Sequence, residues 1–392
     1  MHLFFSVGEP SGDEHAAHVM EEIRRHVPQA RFSGLGGPQM QQQGLDCVFQ
    51  LTDLAVMGIG KVLPLLKKFR DVYLLAKQHL EQERPDAVVL VDFPGFNWHI
   101  AAAAKKLDIP VYFYCPPQLW AWAPWRIKKV RKYVDCILAV LPFEAKWYED
   151  RGVDCEYVGH PFFDDVAAAK LDHAFMDGFE RDSQFVLGVL PGSRKHEVER
   201  NFPVMLDMLQ TLYQKHVNIK FPVACYKEWH RDRCQKFIDD MGVQLPISLH
   251  VGKTSEIIET AHSCLMVSGS VSLELLARKT PGVVMYGGSV LMYVLGHTLI
   301  TVDYFSLPNL IAGRELMPEL PYVFSKGEHI DEKVNILDRW ISDRSELQDI
   351  TDQMADLADE IVEVGGVTRA AQTLLKRLGH RLTEEQPLRR AA

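Results

Sequence analysis

The chain has 392 residues, 47% hydrophobic, 24% charged and 10% aromatic, enough apolar material for two cores at roughly 100–200 residues per domain. Its 43 Lys and Arg against 52 Asp and Glu leave a net charge of −9, which argues against a general nucleic-acid binder while leaving local basic patches open. This composition excludes collagen-like, low-complexity and largely disordered chains.

The first residues, Met1-His2-Leu3-Phe4-Phe5-Ser6-Val7, have no basic leader and soon meet Glu9, so no signal peptide is expected. In chain order, strands are predicted over 3–7, 32–35, 87–92, 111–114, 135–140 and 156–158, with helices over 13–26, 65–83, 98–106 and 143–151 between them. The unbroken apolar run Ala87-Val88-Val89-Leu90-Val91 is the pattern of a parallel strand buried on both faces. A polar, acidic stretch over 162–183 reads as a connection. Alternation resumes with strands over 185–190, 219–224, 247–251, 264–267 and 283–286, and helices over 197–216, 228–241, 254–261, 272–278 and 290–301.

The chain then turns helical over 331–341, 345–363 and 368–378 and ends in a polar tail that is expected to fray. The expected fold is α/β, with two doubly wound Rossmann-like domains and a helical C-terminus. Domain bounds are placed at 1–165 and 166–350, with C-terminal helices over 351–380 free to pack back on the first domain and a tail over 381–392. The most membrane-like stretch, 283–296, is far shorter than the roughly 20 residues of a spanning helix. Seven cysteines without a Cys-x-x-Cys pair read as buried thiols of a reduced cytoplasm, with neither a disulfide framework nor a zinc site.

Three strand-to-helix junctions carry possible chemistry. In Val7-Gly8-Glu9-Pro10-Ser11-Gly12-Asp13-Glu14, Ser11 and Glu14 have capping-box spacing, and the two glycines leave room for an anion or sugar. In Leu190-Pro191-Gly192-Ser193-Arg194, Ser193 can cap a helix whose first turn carries Arg194. That arrangement suits a diphosphate, and equally an ordinary surface turn. In Val267-Ser268-Gly269-Ser270-Val271-Ser272-Leu273-Glu274, hydroxyls can hold phosphate oxygens and Glu274 can accept from ribose. Plain serine capping explains the same residues. Neither of the last two loops is a P-loop or a Gly-x-Gly-x-x-Gly fingerprint. No Asp-x-Asp occurs, so no metal site is expected.

Asp92 closes its strand where parallel sheets place ligands, and it is a candidate general base or else a helix cap. His160, in Gly159-His160-Pro161, is a weaker candidate for chemistry than for structure. Two segments mix bulky apolar and basic residues: 61–70, with Lys67 and Lys68, and 120–132, with Trp120, Trp122, Trp125, Arg126, Lys128 and Lys129. Such mixtures suit an anionic lipid surface. A core helix with a solvated basic face is the alternative.

With these residues in view, the chain resembles the lipid-A-disaccharide synthases, inverting glycosyltransferases with two Rossmann domains (GT-B type). The likeness rests on Gly8-Glu9-Pro10-Ser11-Gly12-Asp13, Trp120-Ala121-Trp122, Leu141-Pro142-Phe143-Glu144, Gly159-His160-Pro161, Leu190-Pro191-Gly192-Ser193-Arg194 and the run from Asp303 to Glu315. The resemblance implies transfer of 2,3-diacylglucosamine from UDP to 2,3-diacylglucosamine 1-phosphate, with no cofactor. It makes Asp92 the base, assigns Arg194 to the diphosphate and Glu274 to the nucleoside, and puts Glu9 and Ser11 on the sugar side. Ser193, Ser268, Ser270 and Ser272 accompany the nucleotide, and Asn309 and Arg314 lie on a polar loop near the site. It further implies a peripheral enzyme on the cytoplasmic face of the inner membrane, and it leaves a homodimer open. Gly95 stands where the family usually has a second Asp. A UDP-N-acetylglucosamine 2-epimerase, another UDP-sugar enzyme or a non-catalytic membrane-binding module on the same fold are the competing readings.

Overall fold

The computed structural model describes residues 1–55, 62–179, 184–288, 302–323 and 328–380. The helix expected over 290–301 and the tail over 381–392 lie outside the described residues. The chain divides into two compact units, one of residues 1–164 plus the C-terminal residues from 363, the other of residues 165–362.

The first unit is built on a seven-stranded sheet in the order β3-β2-β1-β4-β5-β6-β7. Its strands are β1 (His2–Val7), β2 (Arg31–Gly36), β3 (Leu45–Gln50), β4 (Ala87–Val91), β5 (Val111–Tyr114), β6 (Cys136–Ala139) and β7 (Cys155–Tyr157). All pairs are parallel. The central strands lie between helices, and Phe4, Val88, Leu90, Phe113 and Ile137 share one core with Ile100, Ala104 and Tyr148. Fully burying one such large side chain is worth about 1.5–3 kcal/mol. Because β1 connects to β2 on one side while β4 continues on the other, the order reverses between β1 and β4. Val7 pairs with Val91, so Gly8 and Asp92 emerge side by side at this switch point.

The second unit repeats the plan with a six-stranded parallel sheet, β10-β9-β8-β11-β12-β13. Its strands are β8 (Phe185–Leu190), β9 (Ile219–Cys225), β10 (Ile247–Val251), β11 (Ser263–Val267), β12 (Gly282–Gly288) and β13 (Glu319–Val323). Alternate residues of β8 face opposite sides: Leu187 and Val189 join one core, Val186 and Leu190 the other. Here the order reverses between β8 and β11. Met266 pairs with Leu190, so the Arg194 loop and the Ser268 loop emerge as neighbours.

Two strands escape the periodicity, β3 and β13. Each is an edge strand, and β3 is largely half-exposed, so neither shows the continuous apolar run of a strand covered on both sides. The stretch over 162–183 also contains short helices, Pro161–Ala168 and His173–Met176. Among the described residues no helix is long and apolar enough to cross a membrane.

Candidate functional site

In the first unit the helix Pro10–His26 begins earlier than expected. Glu9 is its N-cap residue, Pro10 occupies the first turn, and no side chain caps the end. The Ser11–Glu14 capping box therefore does not form. Proline, pre-set for the first helical position, moves the start ahead of Ser11, which lies exposed in the first turn. Asp13 does the capping work elsewhere: its buried carboxylate accepts from the amides of Gly37 at 2.7 Å and Gln39 at 2.9 Å, at the start of the helix Pro38–Gln42.

Asp92 is half-buried at the end of β4 and takes a left-handed backbone, φ +48°, followed by Phe93 at +45°. Cys115, directly after β5, is left-handed too, at +47°. Non-glycine residues in this region cost about 1–3 kcal/mol each and persist only where the surroundings hold them. The holder is Asn97, fully buried. Its Nδ2 donates to the carbonyls of Asp92 at 2.7 Å and Ser6 at 3.1 Å, and its Oδ1 accepts from the Ser6 hydroxyl at 2.6 Å. The Phe93 ring lies over Gly8 so closely that a Cβ there would overlap it. The ring also packs with Phe69 and Phe96. Asn97 and Ser6 carry no sequence signal of a site role, because a buried amide brace has no motif of its own.

Glu144 is almost fully buried. Its Oε1 accepts the Trp120 indole N–H at 3.0 Å and its Oε2 accepts from the Val140 amide at 3.3 Å. Burial pushes its carboxyl up to about 7, against the pull of these donors. Trp120 is thus a core residue, 6% exposed, while Trp122 and Trp125 are 39% and 56% exposed. Arg126 stacks over Trp122 at 4.6 Å, and Lys128 and Lys129 are exposed. On the helix Val62–Glu83, Lys67 and Lys68 are exposed, and Leu66, Leu74 and Leu75 with them.

In the second unit the expected Ser193 cap is replaced. Arg194 is the N-cap residue of the helix Lys195–Lys215. Glu197 reaches back, its Oε2 accepting from the amides of Ser193 at 2.9 Å and Arg194 at 3.0 Å. A longer acidic side chain one turn inside the helix takes both orphan donors, which a serine hydroxyl cannot. The Arg194 guanidinium is 68% exposed and meets the same carboxylate at 3.2 Å.

In the neighbouring loop, Ser268 donates to the Phe305 carbonyl at 3.1 Å and Ser272 to the Gly269 carbonyl at 2.8 Å. Ser270 is the exposed N-cap residue of the helix Val271–Ala277. Glu274 is buried and paired with Arg278 at 2.9 Å, which orients its carboxylate.

Asn309 is fully buried with its amide spent on its own loop. It donates to the Met317 carbonyl and Glu319 and accepts from the amides of Leu316 and Met317, all at 2.7–2.8 Å. Its part is to shape the loop. Glu319, unremarked in the sequence, completes that brace through the Phe305 and Ser306 amides. Arg314 is exposed and donates to Gln353 at 2.6 Å.

The family model described as lipid-A-disaccharide synthetase matches residues 3–363. The chain belongs to that family. It is 34% identical over 341 residues to the lipid-A-disaccharide synthase of Nitrosococcus oceani, covering 84% of this chain and 85% of the relative. It is 32% identical over 373 residues to that of Myxococcus xanthus, covering 95% and 96%. Membership makes the chain a glycosyltransferase, a hexosyltransferase of lipid A synthesis.

Solved structures extend the comparison to fold alone. A Staphylococcus aureus MnaA–UDP co-structure superposes with a TM-score of 0.64 at 12% identity, covering 98% of each chain. A Neisseria meningitidis UDP-GlcNAc 2-epimerase bound to UDP-GlcNAc reaches 0.63 at 14%, covering 96% of this chain and 99% of the other. The calicheamicin glycosyltransferase CalG4 reaches 0.60 at 14% identity, covering 96% and 98%. Epimerases and glycosyltransferases thus share this architecture, and family membership selects the transferase.

Proposed function

We propose that the chain transfers 2,3-diacylglucosamine from its UDP derivative to the 6-hydroxyl of 2,3-diacylglucosamine 1-phosphate. The products are a β-1,6-linked tetraacyl disaccharide 1-phosphate and UDP. The donor is α-linked and the product β, so attack comes from the face opposite the leaving group. Asp92 takes the proton of the attacking 6-hydroxyl as its oxygen bonds to the anomeric carbon. The bond to UDP breaks with its electron pair moving to the diphosphate, where Arg194 meets the developing charge.

The observation that carries this reading is Asp92 itself: a half-buried carboxylate beside the Gly8 loop at the switch point, held in a strained turn by Ser6 and Asn97. The UDP and UDP-GlcNAc held by two fold neighbours support a UDP-sugar donor on the second unit, at the paired Arg194 and Ser268 loops, with Glu274 toward the ribose. Exposed leucines and lysines on Val62–Glu83, and Trp122, Trp125, Arg126, Lys128 and Lys129, support peripheral contact with an anionic membrane on the acceptor side.

The test is incubation with both acylated sugars and mass analysis of the lipid products. The disaccharide 1-phosphate and UDP should appear together, and neither should form from unacylated UDP-N-acetylglucosamine. Epimerisation of that control sugar without a disaccharide would overturn the assignment.

A further inference from the structure

In the second unit, three donors converge on one carboxylate: the amides of Ser193 and Arg194 on Glu197 Oε2, and the Arg194 guanidinium on Oε1, at 2.9, 3.0 and 3.2 Å. Gly192, at φ +106°, gives the carboxylate room, since a Cβ there would run into the Glu197 side chain. The Glu197 side chain is 17% exposed, against 68% for Arg194. The loop is therefore shaped around an anion of its own chain, and that anion holds the donors a diphosphate would use.

We infer that Glu197 is a built-in competitor of the donor's diphosphate, a residue that sets how tightly UDP is held and how readily it leaves. The inference rests on the reading of the Arg194 loop as the diphosphate site. A bound diphosphate must draw the guanidinium from Glu197 or share it, and in either case a second negative charge lies a few ångströms from the phosphates. At the dielectric of a protein surface, one such charge is worth on the order of tenfold in affinity. When UDP departs, the carboxylate satisfies the donors again, so release leaves no unpaired amide behind. A transferase gains from this, because product held as tightly as the transition state would limit turnover.

The experiment is calorimetric titration of UDP and of uridine into the wild type, Glu197→Gln, Glu197→Ala and Arg194→Ala. Glutamine keeps an oxygen for the two amides and removes the charge. The expected result is a UDP Kd lowered about tenfold in Glu197→Gln, lowered likewise in Glu197→Ala, with uridine binding unchanged. Product inhibition by UDP should strengthen in step. A residue that only caps the helix predicts the reverse sign, because both variants are poorer caps. A UDP Kd unchanged or raised in both variants would overturn the inference. Tight UDP binding that ignores Arg194→Ala would instead remove the underlying reading, and the inference with it.

Discussion

At the scale of single residues, the catalytic geometry proposed here depends on backbone that no side-chain pattern announces. Asp92 and Phe93 are consecutive left-handed residues, and the Asn97 amide holds that turn from within the core. Asparagine tolerates the left-handed region at least as well as aspartate. Asp92→Asn therefore removes the basicity and leaves the turn. Turnover should fall at least about a hundredfold, as expected for loss of a general base, with the UDP Kd and thermal midpoint near wild type. Steady-state rates and calorimetry check this, and near-normal turnover would remove Asp92 as the base. Asp92 was legible as a strand-end carboxylate, but its brace was not: Ser6 and Asn97 are 91 residues apart and meet only because β1 lies beside β4.

At the scale of elements, helix starts separate what local chemistry decides from what neighbours decide. Pro10 begins its helix before Ser11, and Glu197 rather than Ser193 closes the Arg194 loop, so two serines that read as caps are free of that duty. The tryptophan segment divides the same way. Trp120 and Trp122 share one short helix, Leu119–Trp122, but residues two apart on a helix do not share a face. Trp120 is held on Glu144 and Trp122 meets solvent. Replacing Trp122 and Trp125 together by serine should cut co-sedimentation with anionic vesicles several-fold and leave the thermal midpoint unchanged. Trp120→Phe should do the opposite: it strands a buried carboxyl, costs about 1–3 kcal/mol in denaturant unfolding, and leaves vesicle binding of the folded protein intact. Vesicle binding that ignores Trp122 and Trp125 would return the segment to a purely structural role.

At the scale of the whole molecule, the last helix is recruited to the first unit across some two hundred residues. Asp164 accepts from the amides of Gly365 and Val367 at the start of the helix Gly366–Arg377. Arg377 binds Asp154 at 2.6 Å and Glu156 at 2.8 Å, and Arg369 donates to the Val158 carbonyl at 2.7 Å. Beside this junction His15 and His160 meet edge to face at 6.5 Å. Burial holds His15 down to about 4 and His160 down to about 3, each further discouraged by a neighbouring histidine. The His160 Nδ1 accepts from the Phe162 amide, so its proton sits on Nε2.

Unfolded, both rings titrate near 6.5. As pH falls below that value the unfolded chain takes up protons that the folded chain refuses. The stability these rings contribute is therefore complete above pH 6.5 and is lost progressively down to about pH 3–4. Denaturant unfolding at pH 7.0 and 5.0 should show a loss that shrinks in His160→Gln, and an equal loss in that variant would exclude the pair as its source.

Taken alone, the sequence determined the layered parallel sheets, the approximate position of the strand-end loops and the chemical types gathered in them. Buried strands, turn glycines and short motifs are local signals, set by burial on both faces and by backbone freedom over a few residues. The edge strands β3 and β13 were lost for the same reason, since a strand paired on one side need not be continuously apolar. Tertiary structure alone decided which loops stand together, Gly8 with Asp92 and Arg194 with Ser268. It also decided which polar groups are already spent, as in Asn309, Glu197 and Glu144, and which unit claims the final helix. Those outcomes depend on strand order and on the satisfaction of buried donors by residues distant in the chain, and neither is written in any local window.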